Sequence, residues 1–157
     1  MSELTVLLHP DPRLKKICIP VTNIDKSIKK LCLDMIETMY KYSGVGLAAS
    51  QVGILKRVVV MDCSEEDEKK PIILINPEVI WSSDDISFFE EGCLSIPDIR
   101  EEIKRPSSVR IKFTDISGVL KEDFFEGLWA TCIQHEIDHL NGRLFIDYLG
   151  PIKRSFI

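Results

Sequence analysis

Gln134-His135-Glu136-Ile137-Asp138-His139-Leu140-Asn141-Gly142 decides how this chain is read. It contains the HExxH pattern. In a helix, residues four apart lie one above the other on the same face, so His135 and His139 present two imidazoles to one metal ion. Glu136 follows the first imidazole, close enough to handle the protons of a bound water. Around the motif, Leu128, Trp129, Cys132, Ile133, Ile137 and Leu140 recur at helical spacing and predict a helix over 127–140. Gly142 stands where a helix C-terminal glycine belongs.

A catalytic zinc-type centre uses three protein ligands and keeps one position open, so a third ligand is needed. The chain has three histidines, and the remaining one, His9, is near the N-terminus. The long HExxHxxGxxH metalloprotease pattern is matched as far as Gly142 and then fails at Phe145. Downstream of His139 the one acidic residue is Asp147. The third ligand is therefore Asp147 or a residue upstream, and cysteine is the obvious upstream type.

Composition bounds the alternatives. At 157 residues the chain has the length of one ordinary domain with a real core, and 45% hydrophobic with 29% charged residues is a globular balance. A net charge of −5 with no basic run argues against nucleic acid as main partner. No apolar stretch approaches the roughly twenty residues of a membrane helix, and Met1-Ser2-Glu3 does not open a signal-peptide pattern. Five scattered cysteines, at 18, 32, 63, 93 and 132, fit a reducing cytoplasm better than a disulfide framework.

Elsewhere, Asp11-Pro12 and Ile19-Pro20 mark an extended or turning arm. Ile28, Leu31, Cys32, Met35, Met39 and Tyr42 predict a helix over 25–42, with Asp25 as its N-cap and a stop before Gly44. The glycine-rich stretch 44–53 reads as a loop able to approach another group closely. Segments 57–62, 71–81 and 109–114 read as strands, 64–70 as a charged surface loop, and 115–118 as a turn into a further strand. Strands in the middle with a helix towards each end predict an α+β fold, with antiparallel sheet packed around the HExxH helix and an N-terminal helix beside it.

Glu90-Glu91-Gly92-Cys93-Leu94-Ser95-Ile96-Pro97 is the second focus. A cysteine beside glycine and ahead of a proline-set extended segment can be held rigidly with its sulfur exposed. Cys18, Cys32 and Cys63 read instead as small buried hydrophobes. Here the chain resembles the peptide deformylases, whose hallmarks are GxGLAAxQ, EGCLS and QHExDHLxG. It carries Gly44-Val45-Gly46-Leu47-Ala48-Ala49-Ser50-Gln51, Glu91-Gly92-Cys93-Leu94-Ser95 and the 134–142 stretch, in family order. The match extends from Leu8-His9-Pro10-Asp11-Pro12-Arg13-Leu14 to Leu144-Phe145-Ile146-Asp147-Tyr148.

The resemblance implies one catalytic domain over 1–157 that removes the formyl group from the N-terminal formyl-methionine of new polypeptides in a cytoplasm, bacterial or organellar. It implies Cys93, His135 and His139 as metal ligands, Glu136 as proton shuttle, and the Gln51 amide with the Leu94 N–H as oxyanion donors. Thiolate plus two imidazoles by itself suits zinc; the resemblance implies ferrous iron, with nickel, cobalt or zinc accepted. Gly44 and Gly46 are expected to let a peptide substrate bond to backbone as an added strand, and Val45, Phe89, Leu128 and Cys132 to line a pocket for the methionine side chain. Glu91 and Arg105 are a candidate ion pair supporting the Cys93 segment. The implied partners are formyl-methionyl peptides and nascent chains. Some family members continue into a basic helix associated with the ribosome where this chain stops at Ile157, so ribosome contact is not carried over as an expectation. The competing readings are a small zinc peptidase and a metal-binding module without activity; Phe145 counts against the first, and Glu136 with Gln51 against the second.

Overall fold

The computed structural model describes residues 3–65 and 67–157. Met1 and Ser2 of the N-terminal stretch and Glu66 of the charged loop, all used above, lie outside the described residues. In chain order the main elements are helix α1 (Lys26–Lys41), strands β1 (Gly46–Ala48), β2 (Val58–Met61), β3 (Ile72–Ser82), β4 (Ile86–Cys93), β5 (Ile96–Pro106), β6 (Ser108–Thr114) and β7 (Leu120–Glu126), and helix α2 (Gly127–Leu140). Short 3₁₀ turns sit at Pro12–Lys15, Ala49–Val52 and Phe145–Tyr148, and a one-turn helix α3 at Pro151–Arg154. The architecture is α+β with antiparallel sheets, as the sequence predicts.

The layering follows from β2. All four of its residues are apolar and buried. Successive strand side chains point to opposite faces. Val58 and Val60 therefore pack with Ile28, Cys32, Met35 and Met39 of α1, while Val59 and Met61 pack with Ala130, Cys132, Ile133 and Ile137 of α2. An apolar run without alternation is the mark of a strand covered on both faces. β6 shows the contrasting pattern. Val109, Ile111 and Phe113 face α2 and are buried, whereas Arg110 and Lys112 are exposed. The five-stranded sheet runs in the order β1-β2-β3-β6-β7, each neighbouring pair antiparallel.

The ends of the helices obey local rules. Asp25 Oδ1 accepts from the Ile28 N–H at 3.0 Å, satisfying one of the free donors of the first turn of α1. Ser43, not a glycine, takes the left-handed conformation beyond that helix (φ 57°). Gly44 has a different purpose: a Cβ there would lie 2.9 Å from Leu94 Cδ1. After α2, Gly142 does adopt positive φ (75°), and a Cβ would lie 2.5 Å from the Lys15 carbonyl oxygen.

Two features differ from the sequence expectations. The glycine-rich 44–53 stretch is only partly loop: Gly46–Ala48 forms β1, paired to β2 with Gly46 opposite Met61, at the edge of the sheet. Small residues weaken strand propensity, yet the Val-rich partner strand templates the pairing. Residues 86–106, which show no clean period of two, form the long β4–β5 hairpin, the two-stranded second sheet. The break between Gly92 and Cys93, where the register shifts, presents the cysteine at the hairpin tip.

Candidate metal centre and active site

Helix α2 and the tip of the β4–β5 hairpin bring three donors together. His135 and His139 are one turn apart on the buried face of α2, with ring centroids 5.0 Å apart. Cys93 closes the hairpin strand against them. One donor atom from each of Cys93, His135 and His139 lies within 4.8 Å of the others. Cys93 Sγ is 3.4 Å from His139 Nε2. A tetrahedral centre with metal–sulfur near 2.3 Å and metal–nitrogen near 2.0–2.1 Å needs donors roughly 3.3–3.6 Å apart; the Cys93–His139 pair has that spacing, and the set as a whole lies within 4.8 Å.

The electrostatics point the same way. His135 Nδ1 is 2.9 Å from Glu91 Oε1. Burial works against the charged form of Glu91, but hydrogen bonds from His135 and Arg105 hold its pKa below the usual value. An ionised Glu91 can only accept, so Nδ1 carries a hydrogen and Nε2 is the ring nitrogen left for the cluster. Burial also opposes charge on His135. Glu136, Cys93 and Glu91 outweigh it and push its pKa well up, so this pocket attracts positive charge. Burial, then His135, hold His139 well below the usual histidine value, which keeps it a neutral imidazole. Two polar atoms here, Glu136 Oε1 and His139 Nδ1, are buried with no hydrogen-bond partner among the described residues. A soft-and-imidazole donor set, an anionic field and an unpartnered carboxylate oxygen together fit a divalent cation with an open position.

Glu136 itself is 4% exposed, and burial raises its pKa to about 7. A proton shuttle works best when its pKa lies near the working pH. The missing side chain of Gly46 makes its place. A Cβ on Gly46 would lie 2.5 Å from Glu136 Oε2 and 2.7 Å from Cys132 Sγ, both buried. Gly46→Ala should therefore displace the carboxylate and cost about 1–3 kcal/mol by overpacking. We expect a lower urea midpoint and a fall in kcat of at least fivefold; a kcat within twofold of wild type would show that Glu136 tolerates the shift.

Gln51 is held by the 3₁₀ turn that follows β1. Its Oε1 accepts from the Ala48 N–H at 3.0 Å, and its Nε2 donates to Ser95 Oγ at 3.1 Å and to Cys93 Sγ at 3.4 Å. Its amide nitrogen thus reaches the cluster through Cys93 while Ser95 takes its other contact. Leu94 forms the hairpin turn beside it. These groups open onto a cleft of about 840 Å³ whose lining includes Gly44, Val45, Gly46, Gln51, Leu128 and Cys132, together with Cys93, Leu94, His135 and Glu136. That is the size of a ligand site. Phe89, expected from its nearness to the motif, is not among the lining residues. It sits four strand positions before Cys93, opposite Ile103, and at about 3.3 Å per residue that carries it roughly 13 Å along the strand.

Asp147, the alternative ligand, is engaged elsewhere. It accepts from the Leu144 N–H at 2.8 Å and pairs with Lys15 at 3.0 Å and Arg154 at 3.4 Å. The expected Glu91–Arg105 pair is present and buried: Arg105 Nε and Nη2 bond the two Glu91 oxygens at 2.6 and 2.9 Å. Sequence reasoning missed the rest of this network. Arg105 Nη1 reaches Asp138 Oδ2 at 2.9 Å, and the Tyr148 hydroxyl donates to the same oxygen at 2.8 Å. The available signal was Asp138 inside HExxH, an acid three residues from His135 on a largely apolar helix face. Ser95 was missed likewise; it is fully buried and meets Gln51.

Fold and site together define a small α+β protein with a Cys-His-His donor cluster between an HExxH helix and a hairpin tip. A family model described as polypeptide deformylase matches residues 3–155. A peptide deformylase of Afipia carboxidovorans is 53% identical, over 99% of this chain and 91% of that protein. One from Bradyrhizobium sp. (strain BTAi1) is 50% identical, over the same shares. Among solved structures, the peptide deformylase of Ehrlichia chaffeensis in complex with actinonin superposes with a TM-score of 0.96 at 42% identity, covering 99% of this chain and 94% of that one. The Legionella pneumophila enzyme gives 0.93 at 45%, covering 98% and 90%. This chain belongs to the polypeptide deformylase family.

Proposed function

We propose that this protein, acting as one catalytic domain over 1–157, hydrolyses the formyl group from the N-terminal formyl-methionine of new polypeptides, releasing formate and a free amine. Family membership supports the reaction class. The observation that carries the site assignment is the unpartnered, buried Glu136 carboxylate oxygen beside the Cys93–His135–His139 cluster. Cys93, His135 and His139 would hold the ion. When bound, a divalent ion acidifies water and polarises the formyl carbonyl as a Lewis acid.

The chain supplies the remaining chemistry. Glu136 accepts a proton from the attacking water and delivers it to the amine nitrogen as the C–N bond breaks. Gln51 Nε2 and the Leu94 N–H donate to the oxygen of the formyl group as it gains charge, a contribution of about 10²–10³ in rate for one such donor; the Gln51 contact to Cys93 Sγ supports the first of these roles. The open edge of β1, with Gly44 and Gly46, accepts the peptide backbone as an added strand. Val45, Leu128 and Cys132 bound the space for the methionine side chain. The ion we propose is ferrous iron, replaceable by nickel, cobalt or zinc, and the working site the cytoplasm. The resemblance of the three motifs supports the iron, and the free thiols recorded for all five cysteines suit a reducing compartment. No helix among the described residues is long and apolar enough to cross a membrane.

Formate release from a formyl-methionyl tripeptide, measured with iron-loaded and nickel-loaded protein before and after exposure to air, tests this reading. Both forms should be active at first, and only the iron form should decay, because nickel(II) is far less readily oxidised. Inactivity of both forms would sink the deformylase reading. An iron form stable in air would remove only the claim of a redox-sensitive ion.

A further inference from the structure

The turn at Phe145–Tyr148 touches the candidate centre in two ways that the reaction itself does not use. Phe145, 1% exposed, stacks on the His135 ring with centroids 5.9 Å apart and planes 28° from parallel. Tyr148 acts at longer range. Its hydroxyl donates to Asp138 Oδ2 (2.8 Å), which accepts from Arg105 Nη1 (2.9 Å); Arg105 clamps both oxygens of Glu91 (2.6 and 2.9 Å), and Glu91 Oε1 meets His135 Nδ1 (2.9 Å). The Tyr148 ring also meets two guanidinium groups, with Arg105 Cζ and Arg143 Cζ each 5.0 Å from its centroid. The turn is fixed in turn by Asp147, through Lys15, Arg154 and the Leu144 N–H.

We propose that Tyr148 is a positioning residue for the metal centre: its hydroxyl pins Asp138, so that the Asp138–Arg105–Glu91 chain holds the His135 ring in its metal-binding orientation. The proposal rests on the metal-centre reading above. The physical argument is one of orientation. Arg105 is a rigid planar fork with all its partners fixed. Glu91 sets both the tautomer and the angle of His135 only as firmly as Arg105 holds Glu91. Asp138 sits at the edge of this buried chain. Without a second donor its carboxylate can turn towards solvent and release Nη1. Tyr148 is 42% exposed yet places its one polar atom on that oxygen. The chain therefore links the metal ligand to the segment that follows α2.

The test compares metal release from nickel-loaded wild type, Tyr148→Phe, Asp138→Asn and the double variant into a chelator, with kcat and KM on a formyl-methionyl peptide. Loss of a direct ligand-supporting partner typically costs 10–100-fold in metal affinity, so loss of a hydroxyl three residues further out should speed release about 3–10-fold. Tyr148→Phe should lower kcat and leave KM within twofold. The double variant should release metal no faster than Asp138→Asn alone, because the hydroxyl acts only through Asp138. Unchanged release in Tyr148→Phe, or a double variant showing the product of the two single factors, would overturn the proposal. The urea midpoint of the metal-free protein serves as control: a change in release fully accounted for by a lower midpoint would also overturn it. Cys93→Ala run alongside separates the two readings. Fast release there with none in Tyr148→Phe rejects only the positioning role, whereas normal release from Cys93→Ala rejects the metal centre beneath it.

Discussion

Glu136→Gln should keep its metal and lose roughly 10²–10⁴-fold in kcat, the usual worth of a positioned general acid–base group. The substitution preserves shape on the side of the carboxylate that faces Gly46, where even an added Cβ would lie 2.5 Å from Glu136 Oε2. It removes the one property the reaction needs, because an amide at this position cannot take a proton from water and pass it to the leaving amine. The ligands are untouched: Cys93, His135 and His139 are separate side chains, and His135 keeps its bond to Glu91. Burial places the Glu136 pKa at about 7, so the wild-type group exchanges protons at little cost near neutral pH. Elemental analysis with a rate assay checks both halves of the statement. Full metal content with more than about a tenth of the wild-type kcat would show that another group carries the proton.

Cys93→Ala should lose its metal to mild chelation, and Asp147→Asn should not. Structural zinc sites gain about 10–16 kcal/mol in all, so removing one of three protein ligands costs about 3–5 kcal/mol, or roughly 10²–10⁴-fold in affinity. Asp147 instead joins Lys15 and Arg154 at a partly exposed position, where ion pairs contribute about 0–1 kcal/mol each. Metal content after dialysis decides between the two residues. Retention in Cys93→Ala with loss in Asp147→Asn would reverse the assignment.

The fold was readable where one residue pattern dominated. Helix α2 spans Gly127–Leu140, as its apolar stripe predicts, and Asp25 caps α1. β2 and β6 declare themselves through Val and Ile. The β4–β5 hairpin did not, because its residues are chosen for the site as much as for the strand. Glu91, Gly92 and Cys93 break any alternation, and Asp98 takes a left-handed φ of 67° within β5. β1 hid for a related reason: Gly46 and Ala48 are small because Glu136 and the helix crowd them, so their strand character comes from pairing with β2. The two histidines were legible from spacing alone, and the cysteine from its context together with the resemblance. Tyr148 and Ser95 were not, since their contacts join segments distant in sequence and only the folded chain brings them together.

The most direct test of the account is a paired rate measurement on formyl-methionyl and acetyl-methionyl versions of one peptide with metal-loaded protein. The formyl carbon carries only hydrogen, whereas an acetyl methyl must enter the space bounded by Gly46, Gln51 and the donor cluster, where an added carbon on Gly46 already meets Glu136 at 2.5 Å. The account predicts rapid hydrolysis of the formyl peptide and poor hydrolysis of the acetyl peptide. Equal rates on the two would contradict it.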